Sequence, residues 1–250
     1  MNAPARRFIL PILLAASLGR PVLSAAQDSL PTPARAPLQL RWWHGAAMLG
    51  VVGIAMAFDE PYRRYDQSHG STAADDAAKV FRRMGQPEVF ATVGLGVLGA
   101  GLVSGDDGLT RAGARITTSL AIAGGALTVL KAAIGRRRPL DTRNAFSFHP
   151  FSGNDAFPSG HTTMAFALAA SVSDEVHSPV ASVLLYTAAT GTAWSRTNDN
   201  KHWLSDVVAG AALGITSAKL VNGRWRIFGL RPPAFLLAPG QAALRWNGQF

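Results

Sequence analysis

Six apolar stretches, each closed by helix-breaking residues, dominate this chain and restrict it to a bundle of packed helices. They run roughly over Gly45–Phe58, Val89–Ser104, Ile116–Ile134, Thr162–Val172, Val180–Trp194 and His202–Val221. The punctuation is Asp59-Glu60-Pro61, Gly105-Asp106-Asp107-Gly108, Arg138-Pro139 and Ser178-Pro179. Such residues fix φ, lack an amide donor or turn the chain left-handed, so a helix stops or restarts there. Between the first two stretches, Ala77, Val80, Phe81 and Met84 fall on one stripe and predict a shorter amphipathic helix. No segment alternates with a period of two, so no sheet is predicted. The tail Pro232–Phe250 has room for one short strand over Ala242–Trp246. The expected fold class is all-α, a six-helix bundle.

Lipid or water can surround such a bundle. A span needs about 20 mostly apolar residues, and several of these stretches are shorter, a length that also suits the core helices of a soluble protein. Small residues favour the membrane: Gly94, Gly96, Gly99, Gly101, Gly210 and Gly214 permit close helix contact in lipid. Trp42, Trp43, Trp194 and Trp203 lie near segment ends, where interfacial aromatics gather. The bundle is expected to be membrane-embedded, with a soluble bundle as the alternative.

The 250 residues suffice for one sizeable core. Cysteine is absent, which removes disulfide scaffolds, thiolate metal sites and cysteine nucleophiles. A net charge of +9 favours anionic partners. Nucleic acid is not expected among them, because the basic residues are scattered and no groove-reading module is present. Arg6 and Arg7, the apolar Phe8–Leu18 and the small residues Ser24-Ala25-Ala26 follow the order of an export signal. The expected organisation is a signal peptide or N-terminal anchor over 1–26, a linker over 27–43, the helical domain over 44–222 and a tail over 223–250. A bacterial membrane with the active site facing the periplasm follows, or a soluble periplasmic protein. Parity leaves the topology open: with a cleaved leader and six spans, the ends of the third and fifth segments would face the cytosol.

Three clusters carry chemistry. Lys131 and Arg138 are two helical turns apart, and Pro139 marks the helix end; an ammonium and a planar guanidinium suit a phosphate approached from two sides. The same residues also suit a solvated helix terminus that complements the macrodipole. In Pro158-Ser159-Gly160-His161, a serine cap, a close-approach glycine and the first-turn amides make an anion site beside a histidine. A plain capped helix with a surface histidine fits equally well. In Ser195-Arg196-x5-His202-x3-Asp206, a helix beginning at His202 would set His202 and Asp206 on one face. The carboxylate would then fix the imidazole tautomer and leave the other nitrogen to attack. Arg196, across a short polar loop Thr197–Lys201, would reach the same oxygens. His44, His69, His149 and His177 lack spaced partners and read as surface or packing residues. Phe146, Phe148, Phe151 and Phe157 would greet an acyl or prenyl chain, or tuck a loop onto the bundle.

Taken in order, these three stretches resemble the signature of the type-two phosphatidic acid phosphatase family, which shares its core with vanadium haloperoxidases and bacterial acid phosphatases. The similarity covers roughly Gly45 to Val221. It implies His202 as the nucleophile that forms a phosphohistidine, Asp206 as its orienting carboxylate, and His161 as the acid for the leaving oxygen and later the base for water. It also implies Lys131, Arg138, Ser159, Gly160 and Arg196 as the phosphate-binding set, with neither metal nor cofactor. The expected activity is hydrolysis of phosphate monoesters or pyrophosphates, with a phosphorylated lipid or prenyl substrate as partner. The alternatives are a non-specific periplasmic acid phosphatase and a vanadium-dependent haloperoxidase. Leu204 departs from the pattern, since a proline is common after His-Trp.

Overall fold

The computed structural model describes residues 36–227, 234–238 and 241–245. The leader read over 1–26 lies outside these. Eight helices occur among the described residues: α1 (Trp42–Ala57), α2 (Asp59–Ser68), α3 (Thr72–Met84), α4 (Pro87–Ser104), α5 (Asp107–Ile134), α6 (Gly160–Val176), α7 (Pro179–Asn198) and α8 (Leu204–Val221). The six predicted stretches are α1 and α4 to α8, and the amphipathic helix is α3. Two small β pairs accompany them. β1 (Leu38–Leu40) runs parallel to β2 (Trp225–Ile227), and β3 (Ala234–Ala238) forms an antiparallel hairpin with β4 (Gln241–Arg245). The fold is all-α apart from these pairs, and β1–β2 ties the predicted linker to the predicted tail.

Three boundaries differ from the sequence reading. Asp59-Glu60-Pro61, read as a breaker, is the first turn of α2; acidic residues favour the positive end of a helix, and an early proline gives up an amide that has no intrahelical partner. α5 starts at Asp107, well before Ile116, because the Asp106 carboxylate accepts from the Leu109 amide at 2.9 Å and caps it. The predicted loop Thr197–Lys201 is half helix, since α7 runs on to Asn198.

Apolar residues of α4, α5, α6 and α7 build the core, with Phe90, Ile116, Leu120, Ala123, Ala165, Ala167, Ala169 and Ala189 buried together. α6 and α8 approach through glycine. A Cβ on Gly210 would meet the Ser159 carbonyl oxygen at 2.8 Å, and one on Gly214 would strike the Thr163 carbonyl oxygen. Gly101 and Gly94 pack against α5 in the same way, whereas Gly96 and Gly99 face open space. Large apolar side chains point outward: Leu49, Ile54, Leu102, Val103, Val129 and Val183 are all exposed. Thr72–Ser104, Asp107–Ile134 and Leu204–Val221 are long and apolar enough to cross a membrane.

The helices alternate in direction, so the chemistry collects at one end of the bundle. The ends of α1, α5 and α7 and the starts of α2, α6 and α8 meet there through the contacts described next.

Candidate active site

Gly135 ends α5 in the left-handed conformation (φ 57°), where an L side chain is disfavoured and a Cβ would strike the His149 carbonyl oxygen. The turn sends Arg136 into the interior and leaves Arg138 partly exposed at the mouth. Arg138 forks onto Asp155, Nε donating to Oδ1 at 2.9 Å and Nη2 to Oδ2 at 2.7 Å. Lys131 donates to the Asp155 carbonyl oxygen and lies 4.0 Å from the Asp155 carboxylate. Lys131 also lines the start of α6: a Cβ on Gly160 would sit 3.9 Å from its Cε. The first two sequence clusters therefore meet.

Ser159 occupies the N-cap position of α6 and is fully buried, but its hydroxyl accepts from the Thr162 hydroxyl at 3.0 Å rather than from a backbone amide. Its own amide donates to the Asp206 carbonyl oxygen at 2.9 Å, joining the second cluster to the third. The amides of Gly160 and His161 open the helix and need no partner within it, so they suit an anion.

The third cluster differs from its expected form. α8 begins at Leu204, so His202 lies in the turn before the helix and not on its face. The nearest partner of its Nδ1 is the Ala156 carbonyl oxygen at 2.8 Å, with Asp206 Oδ2 at 3.4 Å. A carbonyl can only accept, so Nδ1 carries the proton and Nε2 holds the free lone pair. The Asp206 carboxylate is engaged elsewhere, taking the Trp203 amide on Oδ2 at 2.9 Å and Arg136 Nη1 on Oδ1 at 2.5 Å. It closes the first turn of α8 and supplies negative charge beside the imidazole. Arg196, in the last turn of α7, accepts the Lys201 and His202 amides on its carbonyl at 3.0 and 3.2 Å. The residue is 6% exposed, and its guanidinium reaches Asp199 at 3.0 Å, while its buried Nε has no partner among the described residues. A buried donor of this kind is costly unless an acceptor is provided, which marks it for an oxyanion.

Burial keeps His202 below the ordinary imidazole value, with Asp206 pulling the other way. His161, in the first turn of α6, is half-buried among the positive charges of Arg196, Arg138 and Lys131. A neutral His202 is a competent nucleophile near neutral pH.

Two residues central to the site escaped the sequence reading. Arg136 is fully buried, donating to Asp59 at 2.6 Å, Asp206 at 2.5 Å, the Ser205 hydroxyl at 2.7 Å and the Ala145 carbonyl oxygen. The faces of Phe148 and Trp203 enclose it at 5.2 and 5.5 Å. Asp59, also fully buried, takes the Ser205 amide at 2.8 Å and the Ser205 hydroxyl at 2.7 Å. Arg136 reads in sequence as one of three adjacent arginines at a helix terminus; only the turn at Gly135 singles it out. Phe157 is buried and Phe148 packs on Arg136, while Phe146 and Phe151 stay exposed. His69, His149 and His177 lie on the surface, and His44 accepts the Arg41 amide at the start of α1. Among the described residues, no group of three or more His, Asp or Glu side chains comes together as a metal site.

Residues 112–226, which hold all eight predicted site positions, match the PAP2 superfamily. Over these residues the chain resembles the PAP2 superfamily. The chain resembles a lipid A 1-phosphatase of Porphyromonas gingivalis, 40% identical over 108 residues, 42% of this chain and 22% of that one. A lipid A 1-phosphatase of Rhizobium etli is 36% identical over 107 residues, 41% of this chain and 45% of that one. The chain thus spans less than half the length of the curated relatives it matches. Two solved structures align with it. Aquifex aeolicus LpxE does so at TM-score 0.53 and 18% identity, covering 66% of this chain and 94% of that one. A transmembrane PAP2-type phosphatidylglycerolphosphate phosphatase from Bacillus subtilis does so at TM-score 0.56 and 20% identity, covering 71% and 94%.

Proposed function

We propose that this chain is a membrane-embedded, metal-independent phosphatase that hydrolyses a phosphorylated lipid through a phosphohistidine on His202. The observation that carries the reading is the fixed tautomer of His202: Nδ1–H is spent on the Ala156 carbonyl, which leaves Nε2 as the nucleophile within the field of Lys131 and Arg196. Phosphoryl transfer needs positioning and charge stabilisation more than covalent participation by the protein. Lys131, Arg138, Arg196, Ser159 and the amide of Gly160 supply both.

In the first step Nε2 attacks phosphorus, the P–O bond to the lipid breaks, and His161 delivers a proton to the departing oxygen. In the second, His161 takes a proton from water as its oxygen attacks the phosphohistidine, which frees orthophosphate and restores both imidazoles. Fixed cations fill the role that a divalent ion plays elsewhere, and activity is expected to persist in a chelator.

A lipid substrate is supported by an apolar cavity of about 500 Å³ that ends at His161 and is lined by Pro87, Phe90, Leu95, Leu120, Leu127 and Met164. The leaving group would lie in it. The lipid A 1-phosphatases among the relatives favour lipid A, at its 1-phosphate, as the substrate. We place the site at the periplasmic face. With six helices crossing, α1 then starts from the cytosolic side, and residues 1–26 stay attached as an N-terminal segment.

The test is phosphate release by purified protein from lipid A, phosphatidylglycerol phosphate, a prenyl pyrophosphate and p-nitrophenyl phosphate, with and without chelator. Preference for a lipid, unaffected by chelator, supports the reading. Loss of activity in chelator overturns the metal-free mechanism, and preference for the soluble ester overturns the lipid assignment. A membrane-impermeant substrate given to intact cells tests the orientation.

A further inference from the structure

Two of the three phosphate-binding cations share a single anion that belongs to the chain. The Asp155 carboxylate spans the Nε and Nη2 donors of Arg138 at 2.9 and 2.7 Å, and Lys131 Nζ lies 4.0 Å from its Oδ2. A phosphoryl group offers a guanidinium the same pair of oxygens in the same two-point arrangement. Asp155 is also the residue before Ala156, whose carbonyl fixes the His202 tautomer. One short stretch of the loop before α6 therefore touches both the cation pair and the nucleophile.

The other carboxylates nearby are not placed for this. Asp206 is fully buried and saturated by Arg136 and the Trp203 amide. Asp199 is shared between Arg196 and Arg82, at 3.0 and 2.7 Å. The Asp155 side chain is 48% exposed, and water can receive it when it leaves Arg138.

We infer that Asp155 is an intramolecular counter-anion of the phosphoryl site, displaced from the Arg138 fork by substrate and returning to it as orthophosphate departs. The inference rests on the phosphatase reading above and adds an affinity-setting residue to it. Against a pocket of unopposed cations the product dianion would bind tightly and leave slowly. A tethered carboxylate competes for the same donors and weakens that hold, so turnover is protected from product inhibition.

The experiment is calorimetric binding of inorganic orthophosphate to the purified full chain, paired with product-inhibition kinetics. Asp155→Asn keeps the shape and removes the charge. It should tighten orthophosphate binding about tenfold, the scale expected when one nearby like charge is removed from a partly exposed site. KM and kcat should fall together as phosphate release slows. Asp155→Ser should tighten binding likewise, which guards against a folding defect peculiar to one variant, and Asp155→Glu should return affinity toward wild type. Unchanged or weaker orthophosphate binding in both charge-removing variants overturns the proposal and leaves Asp155 as a support for Arg138. If the unaltered protein hydrolyses no phosphate ester and binds no orthophosphate, the phosphatase reading fails first and this inference with it.

Discussion

Replacing Asp59 with alanine tests whether a buried charge network supports the nucleophile. Asp59, Arg136 and Asp206 are all fully buried and carry a net charge of −1 beside His202. The substitution removes the 2.6 Å ion pair to Arg136 and the bonds from the Ser205 amide and hydroxyl. Breaking a buried pair costs about 3–5 kcal/mol when it leaves an uncompensated charge. Arg136 retains Asp206 and the Ala145 carbonyl, so the loss should fall at the lower end, about 3 kcal/mol. Arg136→Met strands two buried carboxylates and should cost more, about 5 kcal/mol. Denaturation in detergent micelles reads both values. Catalysis should respond separately. With Asp59 gone the remaining pair is neutral and no longer favours positive charge on His202 during attack, so kcat should fall about tenfold at unchanged KM. Stability of Asp59→Ala within about 0.5 kcal/mol of wild type, the range of an ordinary surface change, would refute the reasoning.

His161→Asn should slow hydrolysis of an alkyl phosphate by about 10²–10⁴, yet slow p-nitrophenyl phosphate far less because that leaving group needs no proton; equal losses on the two would remove His161 from the acid role. His161 lies among the cations Arg196, Arg138 and Lys131, so the proton for the leaving group is expected to arrive on the substrate. A plot of kcat/KM should therefore decline above the second ionisation of the phosphate, about pH 6, and the limb should move when the ester is changed. Burial depresses the His202 value in the folded chain, so the unfolded chain binds more protons in acid; the stability this contributes is present above the unfolded imidazole value, about pH 6.5, and is lost as pH falls below it. A melting temperature that rises on acidification through that window would contradict the assignment. Gly214→Ala sets a methyl against the Thr163 carbonyl oxygen and the Ala167 amide, backbone atoms that cannot swing aside, and should cost about 1–3 kcal/mol in the same denaturation assay.

Much of this was legible in the sequence because it depends on period and spacing. The six apolar stretches became α1 and α4 to α8, and the residue sets around Lys131, His161 and His202 converge because those helices alternate in direction. Side-chain roles that depend on the path of a loop were hidden. Nothing in the order of residues says that the Ala156 carbonyl takes the His202 Nδ1–H, displacing Asp206 to 3.4 Å. Asp59 lies in a cluster that reads as a helix breaker, 77 residues from the arginine it pairs with. Arg136 is chosen over Arg137 and Arg138 only by the left-handed turn at Gly135. The strand pair β1–β2 was equally hidden, being three residues long on each side and joined across most of the chain.

The account stands on Nε2 of His202 as the attacking atom. Rapid quenching of the protein with a labelled substrate, followed by digestion and mass analysis, reads it directly. The account predicts an acid-labile, base-stable phosphoryl group on the peptide containing His202, retained longer in His161→Asn and missing in His202→Ala. Label that never becomes covalent, or that appears on another residue, contradicts it.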